Sequence, residues 1–184
     1  MNEVPIWAWT LVTVGVLALL GVAGFFVWRW SWHHMSKRYL TKLISRKESI
    51  AASQRTLETV LRHLADDSDE DLLAFATDVD SLDRRALGEE HQRCVVLRDE
   101  LQTMPMPKRL VSVADALADV ADVVAEESGR IEDDQGEAEV LDALQAVDLE
   151  RVGEQFSHAE ELMVQACEYY DVEEAVVYGG GLYI

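Results

Sequence analysis

Carboxylates dominate the chemistry this chain can offer: 35 Asp and Glu stand against 16 Lys and Arg and 5 His, a formal charge of −19 over 184 residues. On helices, such a composition can build a di-iron site from Glu-x-x-His pairs, whose spacing puts both ligands on one face. None of the histidines, His33, His34, His63, His91 and His158, has a glutamate three residues before it. Glu154 and His158 make one workable pair at a spacing of four, but a second pair is missing. His33 and His34 are adjacent, so on a helix their side chains diverge by about 100°. They read as interfacial residues rather than paired ligands. His63 and His91 lack a neighbouring Cys or second His at ligand spacing. The acidic run Asp66-Asp67-Ser68-Asp69-Glu70-Asp71 resembles a cation loop at first sight. An EF-hand loop needs glycine at its sixth position and glutamate at its twelfth, and these are Asp71 and Thr77. Ser68 with Asp71 reads instead as a capping box opening a helix. No metal ligand set is expected.

Other chemistries lack their motifs too. There is no Walker A sequence, and Gly179 to Gly181 precede no helix that would hold a phosphate. Ser157-His158 is adjacency without a nucleophile–base geometry. Cys94 and Cys167 stand far apart with no ligand-type spacing, which suits small buried apolar residues in a reducing compartment. No catalytic residue and no cofactor are expected. The charge is also uneven. Residues 29–65 carry eight basic and two acidic residues, net +6, while residues 66–184 carry eight basic and thirty-two acidic, net −24. A body that acidic repels phosphate, which argues against nucleic acid as a partner.

The elements that would position these groups begin with Ile6–Trp28, twenty-three residues without a charge. As a helix rising about 1.5 Å per residue the run is about 34 Å long, enough to cross a hydrocarbon core of about 30 Å. All five tryptophans flank it: Trp7 and Trp9 at one end, Trp28, Trp30 and Trp32 at the other, the aromatic-belt pattern. Residues 1–5 include Glu3 and no Lys or Arg, unlike a signal peptide, so the run reads as an uncleaved anchor. Arg29, Lys37, Arg38 and Lys42 follow it. The positive-inside rule then places residues 1–5 outside and the rest in the cytoplasm of a single-pass cell-membrane protein. The same Lys and Arg residues are candidates for contact with anionic lipid of the bilayer.

Beyond the span, helical periodicity continues. In the basic segment 29–65, Leu43, Ile50, Leu57 and Leu64 recur every seven residues, with Leu40 and Leu61 on the adjoining seam position. Lys47 and Gln54 share that seam position. With no Gly or Pro after Trp28, the span is expected to run directly into this helix. The acidic region 66–171 then reads as three further helices packing with 31–65. They cover Asp69 to about Thr103, Lys108 to about Ser128, and Glu137 to about Asp171. Met104-Pro105-Met106-Pro107 separates the first two, Gly88 is a potential interruption of the first, and Gly129 is expected to close the helix from Lys108 to about Ser128 in a left-handed cap. Asp115, Asp119, Asp122 and Glu126 follow a 4-3-4 spacing along one face. That stripe is either solvated surface or a docking face for a basic partner. In the last helix Leu149, Phe156, Met163 and Tyr170 form one seam, with Val152, Ala159 and Ala166 beside it. The tail, 172–184, breaks character: after three glycines, Leu182, Tyr183 and Ile184 are apolar or aromatic, with Tyr178 just before the glycines. It either packs on its own bundle, inserts at the interface, or docks on a partner.

The expected fold is all-α: one N-terminal transmembrane helix, then an antiparallel bundle of three or four long helices. A short outside N-terminus, one span and a helical domain of this size resemble the layout of the LemA family. The likeness is one of architecture, and no residue of that family's Asn- and Tyr-containing segments is matched here. The expected function is a non-enzymatic, membrane-tethered interaction or scaffold module with an unidentified protein partner or a second copy. A regulatory or sensory subunit and a carboxylate-rich metal protein are the alternatives.

Overall fold

A computed structural model describes residues 6–66, 68–131 and 135–172, and for residues 6–18, 29, 32 and 69–71 of these it describes the backbone alone. The elements among them are helices throughout: α1 (Ile6–Asp66), α2 (Asp69–Thr77), α3 (Leu82–Thr103), α4 (Val111–Ser128), α5 (Glu137–Gln145) and α6 (Leu149–Tyr170). The chain divides into two units, Met1–Arg38 and Tyr39–Ile184.

In the first unit, the described side chains from Leu19 to Trp28 are all exposed, Leu19 at 72% and Phe26 at 65%. Phe25 meets Phe26 edge-on at 6.2 Å, and Trp30 stacks on His34 at 5.8 Å, one helical turn away. Among the described residues no helix is long and apolar enough to cross a membrane, so the expected span at Ile6–Trp28 finds no support there. Much of that stretch, 6–18, has side chains outside the described residues, as do Trp7, Trp9, Arg29 and Trp32.

The second unit is a helical bundle. Leu43, Ile50, Leu57 and Leu64 of α1 are all under 5% exposed, so the seven-residue repeat is the buried seam. Helix directions follow from the cross-links. Arg46 and Ser53 of α1 reach Glu100 and Glu90 of α3, so α3 descends as α1 rises. Arg98 and His91 of α3 reach Asp122 and Ala125 of α4, again in opposite senses. The end of α4 meets the start of α6, where Glu127 accepts a hydrogen bond from the Asp148 amide. α4 is the inner helix: only Val111, Ser112, Asp115, Asp119, Asp122 and Glu126 along it are exposed. Its Ala114, Leu117, Ala121 and Val124 meet Leu40, Leu43 and Ile44 of α1, Cys94, Leu97 and Leu101 of α3, and Ala159 and Met163 of α6 in one core. A smaller core joins Leu57, Val60 and Leu64 of α1 to Phe75 and Ala76 of α2, Leu87 of α3 and Val140 of α5.

Two of the expected long helices are broken. Asp69–Thr103 splits at residues 78–81, where local side-chain hydrogen bonds compete with the helix. The Asp80 amide donates to the Asp78 carboxylate, and Ser81 caps α3 by accepting from the Arg84 amide. Arg84, buried, donates to the Ala76 carbonyl and so serves the last turn of α2. Gly88 does not interrupt α3. The expected Glu137–Asp171 helix splits at residues 146–148, and Asp148 caps α6 by accepting from the Arg151 amide. Gly129 closes α4 with φ −91°, not left-handed; the left-handed cap is Asp171, φ 52°. The expected α6 seam is the buried one except at Leu149 and Phe156. Val152, Ala159, Met163, Ala166 and Tyr170 are buried, while Leu149 is exposed and Phe156 is half-buried.

The seam on α6 is testable by paired truncation. Met163→Ala, at a fully buried position, should cost about 2–5 kcal/mol in urea denaturation. Phe156→Ala removes a half-buried ring and should cost less, about 1–3 kcal/mol. A larger loss from Phe156→Ala would put α6 in the wrong rotation.

Candidate functional site

Among the described residues, Lys47, Ser53, Glu90 and Glu127 are buried polar groups that fall in three places between helices. The first lies between α1 and α6. Lys47, on the α1 seam, is 6% exposed; its ammonium donates to Glu160 at 2.8 Å and lies 6.0 Å from the centre of the Phe156 ring. The aliphatic stem fills core space while the charge finds its partner on the next helix.

The second cluster joins α1 to α3. Ser53, fully buried, donates to Glu90 at 2.5 Å, and Arg93 closes on the same carboxylate at 2.9 and 3.0 Å. Cys94 lies beside them, and burial pushes its thiol above the ordinary value, against a hydrogen bond with Ser53. A thiol held in its neutral form is a poor nucleophile and a poor metal ligand.

The third cluster ties the end of α4 to the start of α6. The Glu127 side chain is fully buried, yet it takes Arg130 at 2.5 and 2.9 Å and the Asp148 amide at 3.1 Å, with Arg151 at 3.6 Å. Burial opposes its ionisation, but the hydrogen bonds from Arg130 and Asp148 and the charges of Arg130 and Arg151 outweigh that. The carboxyl is held below its usual range. Arg130 is correspondingly raised, chiefly by its hydrogen bond to Glu127. Nearby, the His91 ring nitrogen Nδ1 lies 2.8 Å from the Ala125 carbonyl and packs against Gly129, where any Cβ would collide with the imidazole. That close approach is what glycine permits at this position.

The acidic stripe is exposed along its length, but half of it is engaged. Asp122 pairs with Arg98 at 2.7 Å, and Glu126 pairs with Arg151 at 2.9 Å. Asp115 and Asp119 have no ion pair among the described residues. The basic stretch divides in the same way: Arg46 is held by Glu100 and Lys47 by Glu160, whereas Arg38 and Lys42 are exposed, Lys42 lying 5.8 Å from the Tyr39 ring centre. Lys37 is half-buried and Trp28 and Trp30 are exposed. The tail residues Tyr178, Leu182, Tyr183 and Ile184 lie outside the described residues.

No group of three or more His, Cys, Asp or Glu side chains among the described residues is placed to hold a metal ion. Surface depressions at Arg85, Gly88, Glu89, Gln92 and Arg93, and at Ser157, Glu160, Glu161, Val164, Gln165 and Glu168, are open to solvent. Neither pairs a nucleophile with a base. Among the described residues, the buried polar clusters cross-link helices, and Asp115 and Asp119 add charge at the surface. Sequence reasoning missed Glu127 and Glu90, because one carboxylate among thirty-five carries no mark of burial. The spacing Glu127–Arg130, compatible with an ion pair on one helix turn, was the available signal.

Glu127→Gln should lower stability at pH 7 by about 1–3 kcal/mol, and Asp119→Ala should change it by less than about 0.5 kcal/mol. A carboxyl with a lowered folded-state pKa stabilises the fold above its unfolded value of about 4.3, and that contribution is lost as pH falls through the folded value. The gap between wild type and Glu127→Gln, read from urea midpoints, should therefore close below about pH 4. A gap independent of pH would mean that the ionised carboxylate is not what matters.

Compared with known proteins, the chain matches no family model, no curated protein and no solved structure, so the similarity of its layout to the LemA family has no counterpart there.

Proposed function

We propose that the protein is a single-pass, membrane-anchored interaction or scaffold module, non-enzymatic, with its acidic helical bundle in the cytoplasm. The observation that carries this reading is the uncharged run Ile6–Trp28, of which the described side chains from Leu19 to Trp28 are apolar or glycine and exposed on every side of the helix. A helix apolar all round needs apolar surroundings, and a bilayer supplies them over this length. The tryptophans at both ends and the basic residues after Trp28 support the anchor and its orientation. The interaction role rests on what remains in the bundle: a net-acidic surface, with Asp115 and Asp119 exposed, and internal polar groups engaged in cross-links. Another protein or a second copy would meet this surface or the apolar tail.

Extraction separates the anchor from peripheral attachment. Full-length protein should stay with membranes at alkaline pH, and removal of residues 1–28 should release it. A reporter that fluoresces only in the cytoplasm, fused after Ile184, should be bright. Release of the intact chain would overturn the anchor, and a dark full-length fusion would overturn the orientation.

A further inference from the structure

In the first unit, Trp30, His34 and Arg38 follow one another at four-residue spacing, so they rise along one side of α1. All three are exposed. The Trp30 and His34 rings stack nearly parallel, 17° apart, which fixes the indole against the next turn. Arg38, one turn further, has no ion pair among the described residues. This differs from Arg46 and Lys47 downstream, whose charges are met by Glu100 and Glu160. The basic residues of the stretch are thus not equivalent. Those beyond Lys42 include charges spent inside the bundle, whereas the guanidinium of Arg38 is exposed one turn beyond the Trp30–His34 stack.

We infer that Trp30, His34 and Arg38 form a docking face for the headgroups of anionic phospholipids. This rests on the membrane anchor proposed above. An indole settles at headgroup depth, and a guanidinium a turn or two away meets a phosphate diester bidentately. Charge complementarity selects the anionic lipid: the segment is basic, net +6 over residues 29–65, while residues 66–184, net −24, are repelled by such a surface. The surface is too narrow to be a pocket, so it would enrich anionic lipid next to the helix rather than hold one molecule.

The test uses the intact chain reconstituted in phosphatidylcholine vesicles with a trace of dansyl-labelled lipid, either phosphatidylglycerol or phosphatidylcholine. Energy transfer from the tryptophans, all of which lie in residues 7–32, reports lipid adjacent to this segment. Wild type should enrich the anionic probe over the neutral one, and 0.5 M salt should reduce the enrichment. Arg38→Gln should lower it about fivefold, the effect of one basic residue near the surface. Lys108→Gln, exposed in the acidic body, should leave it unchanged. Equal transfer to both probes, or an enrichment that Arg38→Gln does not alter, overturns the docking face. Failure to float with the vesicles is a different result, and it would strike the anchor itself.

Discussion

Helix α4 can be enclosed by its neighbours only because its side chains are small. Ala114, Ala116, Ala118, Ala121 and Ala125 let the surrounding helices come close, and Val113, Val120, Val123 and Val124 fill the remaining volume with stiff, well-defined rotamers. Such a helix has little room for error, since larger residues inside a packed core force neighbours off their rotamers. The rest of the bundle is arranged around this constraint. α3 and α6 pack on α4, α1 contributes Leu43 and Ile50 of its seven-residue seam to the same core, and the carboxylates of α4 lie on its solvent-facing strip except Glu127, which is buried.

Glu127 shows how the interior tolerates charge. A lone carboxylate at that depth would be neutralised by protonation, but Arg130 on the next turn and Arg151 at the start of α6 keep it ionised. The same carboxylate takes the Asp148 amide, one of the backbone donors left without a partner at the start of α6. One side chain thus fixes where α4 ends and where α6 begins. Lys47 acts comparably on the opposite side. A cation on a seam reduces stability but restricts alternatives, because a slipped pairing would carry the ammonium away from Glu160.

The helical class and most of the seams were legible because periodicity follows burial. Leu43, Ile50, Leu57 and Leu64 recur every seven residues, and a helix facing a core can use them in only one way. The breaks at 78–81 and 146–148 were not legible. Neither holds a glycine or proline; each depends on a short polar side chain choosing a cap over a helical turn, and on Arg84 or Glu127 arriving from elsewhere. The α6 seam was legible at Val152, Ala159, Met163, Ala166 and Tyr170, and its repeat overreached only at Leu149, the first residue after the break, and at Phe156, which packs half-buried on the core with the Lys47 ammonium 6.0 Å from its ring. Of the candidate surfaces, the exposure of the acidic stripe followed from spacing. The pairing of Asp122 with Arg98 and of Glu126 with Arg151 required knowing which helices adjoin.

Cys94 and Cys167 are both free and both buried, on α3 and α6. Cys94 is wholly enclosed and Cys167 retains 8% of its surface, so a reagent in solution meets little of either until the helices part, and at Cys94 the surroundings also disfavour the reactive thiolate. Alkylation at neutral pH therefore has to wait for the bundle to breathe. The two thiols form a built-in clock for that opening: their rates of modification count excursions of α3 and of α6 from the packed state. Measured against the rate of each thiol in the unfolded chain, equal protection would mean that the helices leave together, and unequal protection would show which one loosens first.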